Sequence, residues 1–149
     1  MSARKPSEYA SEAALVDAFL VVLRRSSPWG RVKASTEFDY QRGRTDVIAL
    51  SSAGELLAFE AKLTKWRDAL HQAYRNRCFA RRSFVVVPRP VALVAMRYDE
   101  EFRRRKVGLC FVDNRHITVL IDAADNEPLQ PWLTLIAESY IQKGPRNTE

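Results

Sequence analysis

Two short apolar runs joined by a turn constrain the fold of this chain more than any other feature. The runs Arg44–Leu50 and Leu56–Lys62 have the composition of β-strands, and the polar, glycine-containing segment Ser51–Glu55 between them is typical of a turn in an antiparallel hairpin. Three charged residues interrupt these apolar runs: Asp46, Glu60 and Lys62. Because an unpaired buried charge strongly destabilises a fold, their presence predicts a site that uses charge.

Side-chain alternation predicts how these charges meet. Glu60 and Lys62 are two residues apart, so on a strand they share a face. If Leu50 pairs with Leu56 across the turn, Asp46 lies opposite Glu60 with Cβ atoms about 5 Å apart, a separation at which two carboxylates can hold a divalent cation together. An ion-paired hairpin, in which Lys62 neutralises one carboxylate on a solvated face, fits the same pattern.

The order of motifs around the hairpin resembles that of the PD-(D/E)XK nuclease superfamily. Asp46 is followed by the hairpin, by the sequence Glu60-Ala61-Lys62, by a helix that carries Gln72, and by the apolar strand Ser83–Pro88. The resemblance extends from about residue 8 to residue 88. Thr45 stands at the position of the proline that gives the superfamily its name. The resemblance implies an α/β fold of the restriction-endonuclease type: an αβββαβ core in which helices flank a central mixed sheet.

The resemblance also implies roles for individual residues. Asp46, Glu60 and the Ala61 carbonyl would hold Mg²⁺ or Mn²⁺, and Lys62 would orient the attacking water or stabilise charge on the phosphate. Gln72 would help to orient water, metal or backbone. A supporting acid would come from Glu12 on the first helix, with Glu37 on the first strand as the competing choice. The expected activity is that of a metal-dependent DNA endonuclease, acting on duplex or branched DNA in repair, recombination or defence.

The overall charge independently indicates a polyanionic partner. The chain carries a net charge of +6 and has a pI near 9.6. From Lys62 to Arg82 the only acid among seven bases is Asp68. The residues expected to contact DNA are Arg42, Arg44, Lys65, Arg67 and Arg75. Two other functions fit the same charge: a catalytically inert DNA-binding module on this scaffold, and a protein-interaction domain for acidic partners.

Periodicity and capping residues predict the remaining elements. Ser7 can cap a first helix from Glu8 to about Arg25, with Glu12 pointing inward. A strand is expected at Val32–Phe38, and a helix from about Lys65 to Phe79 with an apolar face. The C-terminal part is predicted to hold a helix at Val91–Arg105, strands at Val107–Val112 and Ile117–Ile121, and a helix at Pro131–Gln142 that turns Trp132, Leu135, Ile136 and Tyr140 inward.

Length and composition predict one domain over residues 1–149, with flexible ends at 1–6 and 143–149. The sequence contains neither a secretory signal nor an apolar stretch long enough for a membrane-spanning helix, so a cytoplasmic location without membrane attachment is expected. A homodimer would allow both strands of DNA to be cut. Cys78 and Cys110 are too few for a disulfide framework and are expected to serve ordinary packing.

Overall fold

The structure, a computed structural model, describes residues 9–40, 43–113 and 115–144. Its helices and strands follow in the order α1 (Glu12–Arg25), β1 (Val32–Tyr40), β2 (Gly43–Ser51), β3 (Leu56–Ala61), α2 (Trp66–Arg75), β4 (Arg82–Val86), α3 (Arg89–Ala95), α4 (Asp99–Arg105), β5 (Gly108–Val112), β6 (Ile117–Ile121) and α5 (Pro131–Gln142). One 3₁₀ turn, Asn76–Cys78, follows α2, and another, Met96–Tyr98, separates α3 from α4.

The six strands form one mixed sheet whose spatial order is the same as the chain order. β1, β2 and β3 pair antiparallel, β3, β4 and β5 pair parallel, and β6 returns antiparallel beside β5. Parallel neighbours require a crossover, and α2 provides it between β3 and β4, while α3 and α4 provide it between β4 and β5. The predicted αβββαβ order and the added C-terminal hairpin and helix are therefore confirmed.

Helices cover both faces of the sheet. α1 packs on one face through Phe19, whose ring lies 4.9 Å from that of Phe59. The other face is covered by α2, α3 and α4 around Val85 and Leu109, and by α5 near β1 and β2. Because both faces are buried, the central strands are almost continuously apolar. A polar side chain in such a strand therefore requires partners of its own.

The first helix begins later than predicted. Ser11, rather than Ser7, is its N-cap, and the Ser11 hydroxyl accepts a hydrogen bond from the Ala14 amide. Glu12 is consequently the first residue of the helix. Ser7 and Glu8 lie outside the described residues. Both serines match the composition of a cap, and only the position at which the chain enters the sheet decides between them.

The helix predicted at Val91–Arg105 is two helices. α3 begins at Arg89, with Pro90 in its first turn where a missing amide hydrogen costs nothing, and the 3₁₀ turn then changes the helical phase before α4. In that turn the Tyr98 ring stacks on Trp66 of α2 at 5.5 Å. This contact between helices cannot be read from the periodicity of either segment.

The inward face predicted for α5 is wrong. Trp132, Leu135 and Ile136 are 60%, 66% and 54% exposed, and Tyr140 is also exposed. The helix instead packs on the sheet through Ala137 and Ile141. The prediction selected the largest apolar side chains, but the arc that is buried depends on where the helix docks. Among the described helices, none is long and apolar enough to cross a membrane.

Candidate active site

The hairpin of β2 and β3 has the register that the sequence predicted. Leu50 pairs with Leu56 across the turn, and the regular ladder continues to the pair Val47 and Phe59. In the turn, the Glu55 amide donates to the Ser51 hydroxyl and Gly54 adopts a left-handed conformation with φ of 87°. Beyond Val47 the ladder stops, so the two strands diverge at the residues that carry the carboxylates.

Asp46 occupies the place where the ladder ends. Its Oδ2 accepts a hydrogen bond of 2.8 Å from the Ala61 amide. The Asp46 side chain thus binds a backbone N–H group that would pair with a backbone carbonyl in a regular strand ladder. On the other side, the pairing of β1 with β2 skips Glu37 and Asp46, which lie between the pairs Thr36–Val47 and Phe38–Thr45, and Glu37 has a left-handed φ of 55°. Such a residue interrupts strand alternation. Accordingly Ala34 and Phe38 pack in cores on different faces.

Glu60 is a buried carboxyl group beside another carboxylate. It is 1% exposed, and its Oε2 accepts a hydrogen bond of 2.7 Å from Asn76 Nδ2. Burial and the nearby negative charge of Asp46 raise the pKa of Glu60 to about 8, against the opposing effect of the Asn76 hydrogen bond. Two carboxyl groups in this arrangement repel each other once both are ionised. A divalent cation between them would remove that repulsion.

The donors at this site determine which metal it could hold. The described residues contain no group of three or more histidine, cysteine, aspartate or glutamate side chains that could hold an ion. The donors predicted from the sequence are the carboxylates of Asp46 and Glu60 and the Ala61 carbonyl, and the structure brings the two carboxyl groups together. All three are oxygens, and Mg²⁺ is commonly held by one or two carboxylates while it keeps several waters. This set fits Mg²⁺ or Mn²⁺ and lacks the nitrogen and sulfur ligands typical of zinc.

Lys62 follows directly after the end of β3. Its amide donates to the Val86 carbonyl on β4, and its Nζ lies 3.9 Å from Glu12 Oε1 at the start of α1. The prediction that Glu12 points inward is wrong, because its side chain is 49% exposed. Glu12 instead pairs with Lys62 at the edge of the site. α1 thus places an acid beside the lysine without burying it.

Both candidates for the supporting acid border the same cavity. Glu12, Glu37 and Asp46 line a space of about 240 Å³ together with Asp17 and Thr36. The Glu37 side chain is 71% exposed and lies 3.9 Å from Arg44, whereas Glu12 contacts Lys62. The Tyr140 hydroxyl of α5 donates to the carbonyls of Thr36 and Glu37 and so supports the left-handed backbone. Of the two acids, only Glu12 contacts a residue of the Glu60-Ala61-Lys62 motif.

Gln72 lies on α2, which packs against β3 and β4. The apolar face predicted for this helix is confirmed by its buried residues, which are Trp66, Ala69, Leu70 and Ala73. The helix ends at Arg75 instead of Phe79, and a 3₁₀ turn continues it. Gln72 is half-buried and its carbonyl accepts a hydrogen bond from the Asn76 amide. A role for its side chain stays a prediction.

The residues expected to contact DNA differ in how they are engaged. Arg75 lies against Gly43, where an added Cβ would come within 3.0 Å of the guanidinium, and its positive charge acts on Glu60. Lys65 is exposed just before α2. Arg44 is held loosely, 3.9 Å from Glu37 and 3.8 Å from Asp39. Arg42 lies outside the described residues.

Arg67 is already engaged within the chain. It makes two hydrogen bonds to the Glu101 carboxylate, at 3.1 and 2.8 Å, and its guanidinium lies over the Trp66 ring. Its partner is 34 residues away in the sequence. Arg67 therefore contributes less free positive charge to a DNA surface than Lys65 or Arg75.

Two other arginines of the segment from Lys62 to Arg82 also pair with acids that are distant in the sequence. Arg81 pairs with Asp125 at 2.9 Å, and Arg82 contacts Glu55 at 3.3 Å. The sequence has Asp68 as the only acid between Lys62 and Arg82, but the fold supplies others. The surface is consequently less basic than the run of residues indicates.

Sequence reasoning missed the polar side chains that surround Glu60. Asn76 and Thr45 are both 0% exposed, and Asn76 Oδ1 accepts hydrogen bonds from the hydroxyls of Tyr40 and Thr45, at 2.9 and 3.0 Å. Thr45 sits inside an apolar strand, which is the one signal that could have drawn attention to it. An asparagine near a helix end carries no such signal, because it is typical of surface turns.

Cys110 serves packing, as expected. It is fully buried on β5 in the core under α1, and burial raises the pKa of its thiol far above the usual range. Cys78 lies in the 3₁₀ turn after α2 and is half-buried.

Comparison with known proteins shows a shared fold but does not assign the chain to a family. No family model matches this sequence, and no curated protein matches it either. Among solved structures, a protein of unknown function from Silicibacter pomeroyi has 20% sequence identity and a TM-score of 0.52, and the match covers 99% of this chain and 100% of that one. At this identity the likeness shows the fold alone.

Two nucleases also align in part. A structure of EndoMS in complex with double-stranded DNA has 12% identity and a TM-score of 0.49, with 78% of this chain and 50% of that chain covered. A repair endonuclease from Pyrococcus abyssi has 15% identity and a TM-score of 0.42, with 77% and 50% covered. The chain spans about half the length of each of these two proteins.

Proposed function

We propose that this chain is a nuclease of the PD-(D/E)XK type that hydrolyses phosphodiester bonds in DNA with the help of Mg²⁺ or Mn²⁺. The observation that carries the proposal is the pair of carboxyl groups of Asp46 and Glu60, brought together where β2 and β3 diverge. A purely structural pair of acids, one of them buried, would destabilise the fold. Binding of a divalent cation and a phosphate would explain why the two acids lie side by side.

The chemistry follows from the donor set. A bound divalent cation polarises a phosphate oxygen and lowers the pKa of a bound water. Asp46, Glu60 and the Ala61 carbonyl would hold it, and the Ala61 amide fixes the Asp46 carboxylate through its hydrogen bond of 2.8 Å. Because Glu60 is buried, its orientation is set by neighbouring groups rather than by solvent.

Lys62 supplies a positive charge next to these carboxylates. Its side chain is 24% exposed, so the ammonium group remains accessible to a phosphate. There it would stabilise negative charge that develops on the phosphate or orient the attacking water. Glu12, 3.9 Å away, would hold the lysine in place, which favours Glu12 over Glu37 as the supporting acid. Gln72 on α2 is proposed to orient water or backbone at the same site.

DNA would approach across α2 and the beginning of β2. Arg75 and Lys65 present positive charge on α2, and Arg44 adds to it from β2. Contacts of this kind bind phosphates without reading sequence. A substrate recognised by backbone shape, such as duplex or branched DNA, fits this surface, and cleavage of both strands would call for two copies of the site.

The direct test is cleavage of labelled linear, flapped and four-way-junction DNA with Mg²⁺ or Mn²⁺ by the parent protein and by Asp46→Ala. We expect the parent to produce cleaved ends and Asp46→Ala to produce none. DNA binding by the variant should be retained or tightened, because the substitution removes a negative charge near the phosphate. Asp17→Ala is a matched control, since Asp17 lines the same cavity but belongs to neither the metal donors nor the lysine contact.

Two results would argue against the proposal. If Asp46→Ala cleaves as well as the parent, the site is misassigned. If the parent binds all three DNA substrates and cleaves none, the chain is a DNA-binding module on this scaffold. Weak DNA binding with little dependence on salt would instead favour a protein-interaction domain, since displaced counterions make DNA affinity strongly salt-dependent.

A further inference from the structure

We propose that Asn76 is a positioning residue, which orients Glu60 so that Glu60 and Asp46 can share one cation. The inference rests on the proposed function and assigns a role to a side chain that touches neither metal nor substrate. It starts from the fact that Asn76 is 0% exposed and donates from Nδ2 to Glu60 Oε2 at 2.7 Å.

The orientation of the Asn76 amide follows from its partners. Its Oδ1 accepts from the hydroxyls of Tyr40 and Thr45, at 2.9 and 3.0 Å. An ionised carboxylate can only accept hydrogen bonds, so Nδ2 has to face Glu60. When Glu60 is ionised, as in the cation-bound state, a flip would set the amide oxygen against the Glu60 carboxylate; the two hydroxyls could adapt, because each can accept as well as donate. Such a fully satisfied polar network is rigid.

The network connects the strands that carry the two carboxylates. Tyr40 is the last residue of β1, and Thr45 directly precedes Asp46 on β2. Asn76 lies in the 3₁₀ turn after α2, and Glu60 belongs to β3. One asparagine therefore links two strands to Glu60 at the place where the β2–β3 ladder has stopped. The β2–β3 pairing no longer fixes the distance between Asp46 and Glu60 there. The Asn76 network fixes it instead.

The contact with Asn76 gives the two oxygens of the Glu60 carboxyl group different roles. Oε2 is engaged by Asn76, which leaves Oε1 for a ligand shared with Asp46. Hydrogen bonds to the second oxygen of a ligating carboxylate hold its orientation, and loss of such partners commonly weakens metal affinity by about 10- to 100-fold. Without Asn76, Glu60 would lose one partner and regain rotational freedom.

The experiment measures Mn²⁺ affinity by electron paramagnetic resonance or calorimetry on the full chain, at one fixed pH. We expect Asn76→Ala to bind Mn²⁺ at least about tenfold more weakly than the parent. The double variant Tyr40→Phe/Thr45→Val retains the asparagine but removes both donors to Oδ1, so it should show a weaker loss of the same kind. In cleavage assays, both should lower kcat more than they raise KM for DNA, because Asn76 lies behind the metal ligands.

Asn126→Ala is the matched control. Asn126 also joins distant segments, since its Nδ2 donates to the carbonyls of Arg77 and Ala80, but it does not contact Glu60. Its loss should lower the thermal midpoint and leave Mn²⁺ affinity unchanged. This control separates a loss of positioning from a general loss of stability, and circular dichroism reports whether each variant is folded.

The outcomes distinguish this inference from the proposed function. A folded Asn76→Ala that binds Mn²⁺ as tightly as the parent overturns the positioning role. If that variant does not fold, parent-like affinity in Tyr40→Phe/Thr45→Val overturns it instead. A parent whose Mn²⁺ affinity depends on Glu60 and Asn76 but which cleaves nothing overturns the nuclease activity and supports the positioning role. A parent that binds no Mn²⁺ overturns both.

Discussion

Two groups of charges look alike in the sequence and differ in the structure. Three arginines of the segment after Lys62 meet acids from other parts of the chain: Arg67 meets Glu101, Arg81 meets Asp125 and Arg82 meets Glu55. Asp46 and Glu60 meet each other, and the pKa of Glu60 rises to about 8 as a result of burial and of this neighbour. These arginines are paired with opposite charges inside the protein, whereas Asp46 and Glu60 are two acids side by side.

This difference indicates which charges have a function outside the fold. Exposed ion pairs contribute little to stability and need no ligand to explain them. Two acids placed together at the end of a strand pair are unfavourable once ionised, so they are expected to persist only where a ligand makes use of them. The four predictions that follow test the contrast, in order of decreasing effect.

The largest effect is expected for Glu60→Gln. The substitution keeps the shape of the side chain and removes one of two carboxylates, so Mn²⁺ affinity should fall by more than about 100-fold. In the presence of EDTA the variant should be at least as stable as the parent, because the repulsion from Asp46 is gone. Calorimetric titration and urea unfolding measure the two quantities. Unchanged Mn²⁺ affinity would mean that the pair is not the cation site.

The second prediction concerns pH. The pKa of Glu60 is raised from 4.5 to about 8 in the folded protein, so the stability linked to its protonation is fully present below pH 4.5 and is lost as pH rises through 8. Without divalent cation, the free energy of unfolding should fall across this range by on the order of 3 kcal/mol relative to Glu60→Gln. Urea unfolding with EDTA from pH 5 to pH 9 (roughly the folded-state titration range) tests it.

Added Mg²⁺ or Mn²⁺ serves as the control for the pH effect. If the cation binds the ionised pair, as proposed, its stabilisation should increase with pH over the same interval. A parent whose stability is as flat with pH as that of Glu60→Gln would contradict the raised pKa and, with it, the contrast between the two groups of charges.

The third prediction compares two arginines in DNA binding. Arg75 forms no ion pair within 4.0 Å with any residue that the structure describes, and its charge acts at Glu60, whereas Arg81 is paired with Asp125. Arg75→Ala should weaken DNA binding by about fivefold and reduce the salt dependence by about one phosphate contact. Arg81→Ala should leave both nearly unchanged. Fluorescence anisotropy at several salt concentrations measures the DNA affinity and its salt dependence. Equal losses of affinity in the two variants would show that Arg75 and Arg81 do not differ in DNA binding.

The smallest effect is expected for the ion pairs themselves. Arg81→Ala and Asp125→Ala should each change the free energy of unfolding by less than about 1 kcal/mol, because both side chains are well exposed. The double variant should show little coupling between them. Thermal unfolding in low and high salt tests this. A loss well above about 1 kcal/mol for either variant would show that this pair is more than a surface contact.

The local parts of the fold were predictable from the sequence. The pairing of Leu50 with Leu56 follows from a polar turn with Gly54 between two apolar runs, and the buried face of α2 follows from helical spacing. Such features depend on residues within a few positions of each other. Asp46 and Glu60 could be chosen for the same reason, since they lie on the two strands of one hairpin.

Other parts depended on distant contacts. The exposed face of α5, with Trp132 and Leu135, was predicted inward because its periodicity is the same whichever arc docks on the sheet. The divergence of β2 from β3 at Asp46 and the left-handed Glu37 break the alternation on which strand prediction relies. The Asn76 network was not predicted because its members come from four separate elements.

The sequence by itself determined the hairpin, its turn, its register and the two acids that the hairpin carries, because alternation and turn chemistry act over a few residues. Only the tertiary structure decided which charges have partners. Arg67 reaches Glu101 across 34 positions, and Asn76 reaches Glu60 across 16. The physical reason is that hydrogen bonds and ion pairs depend on distance in space, which packing sets and sequence spacing does not.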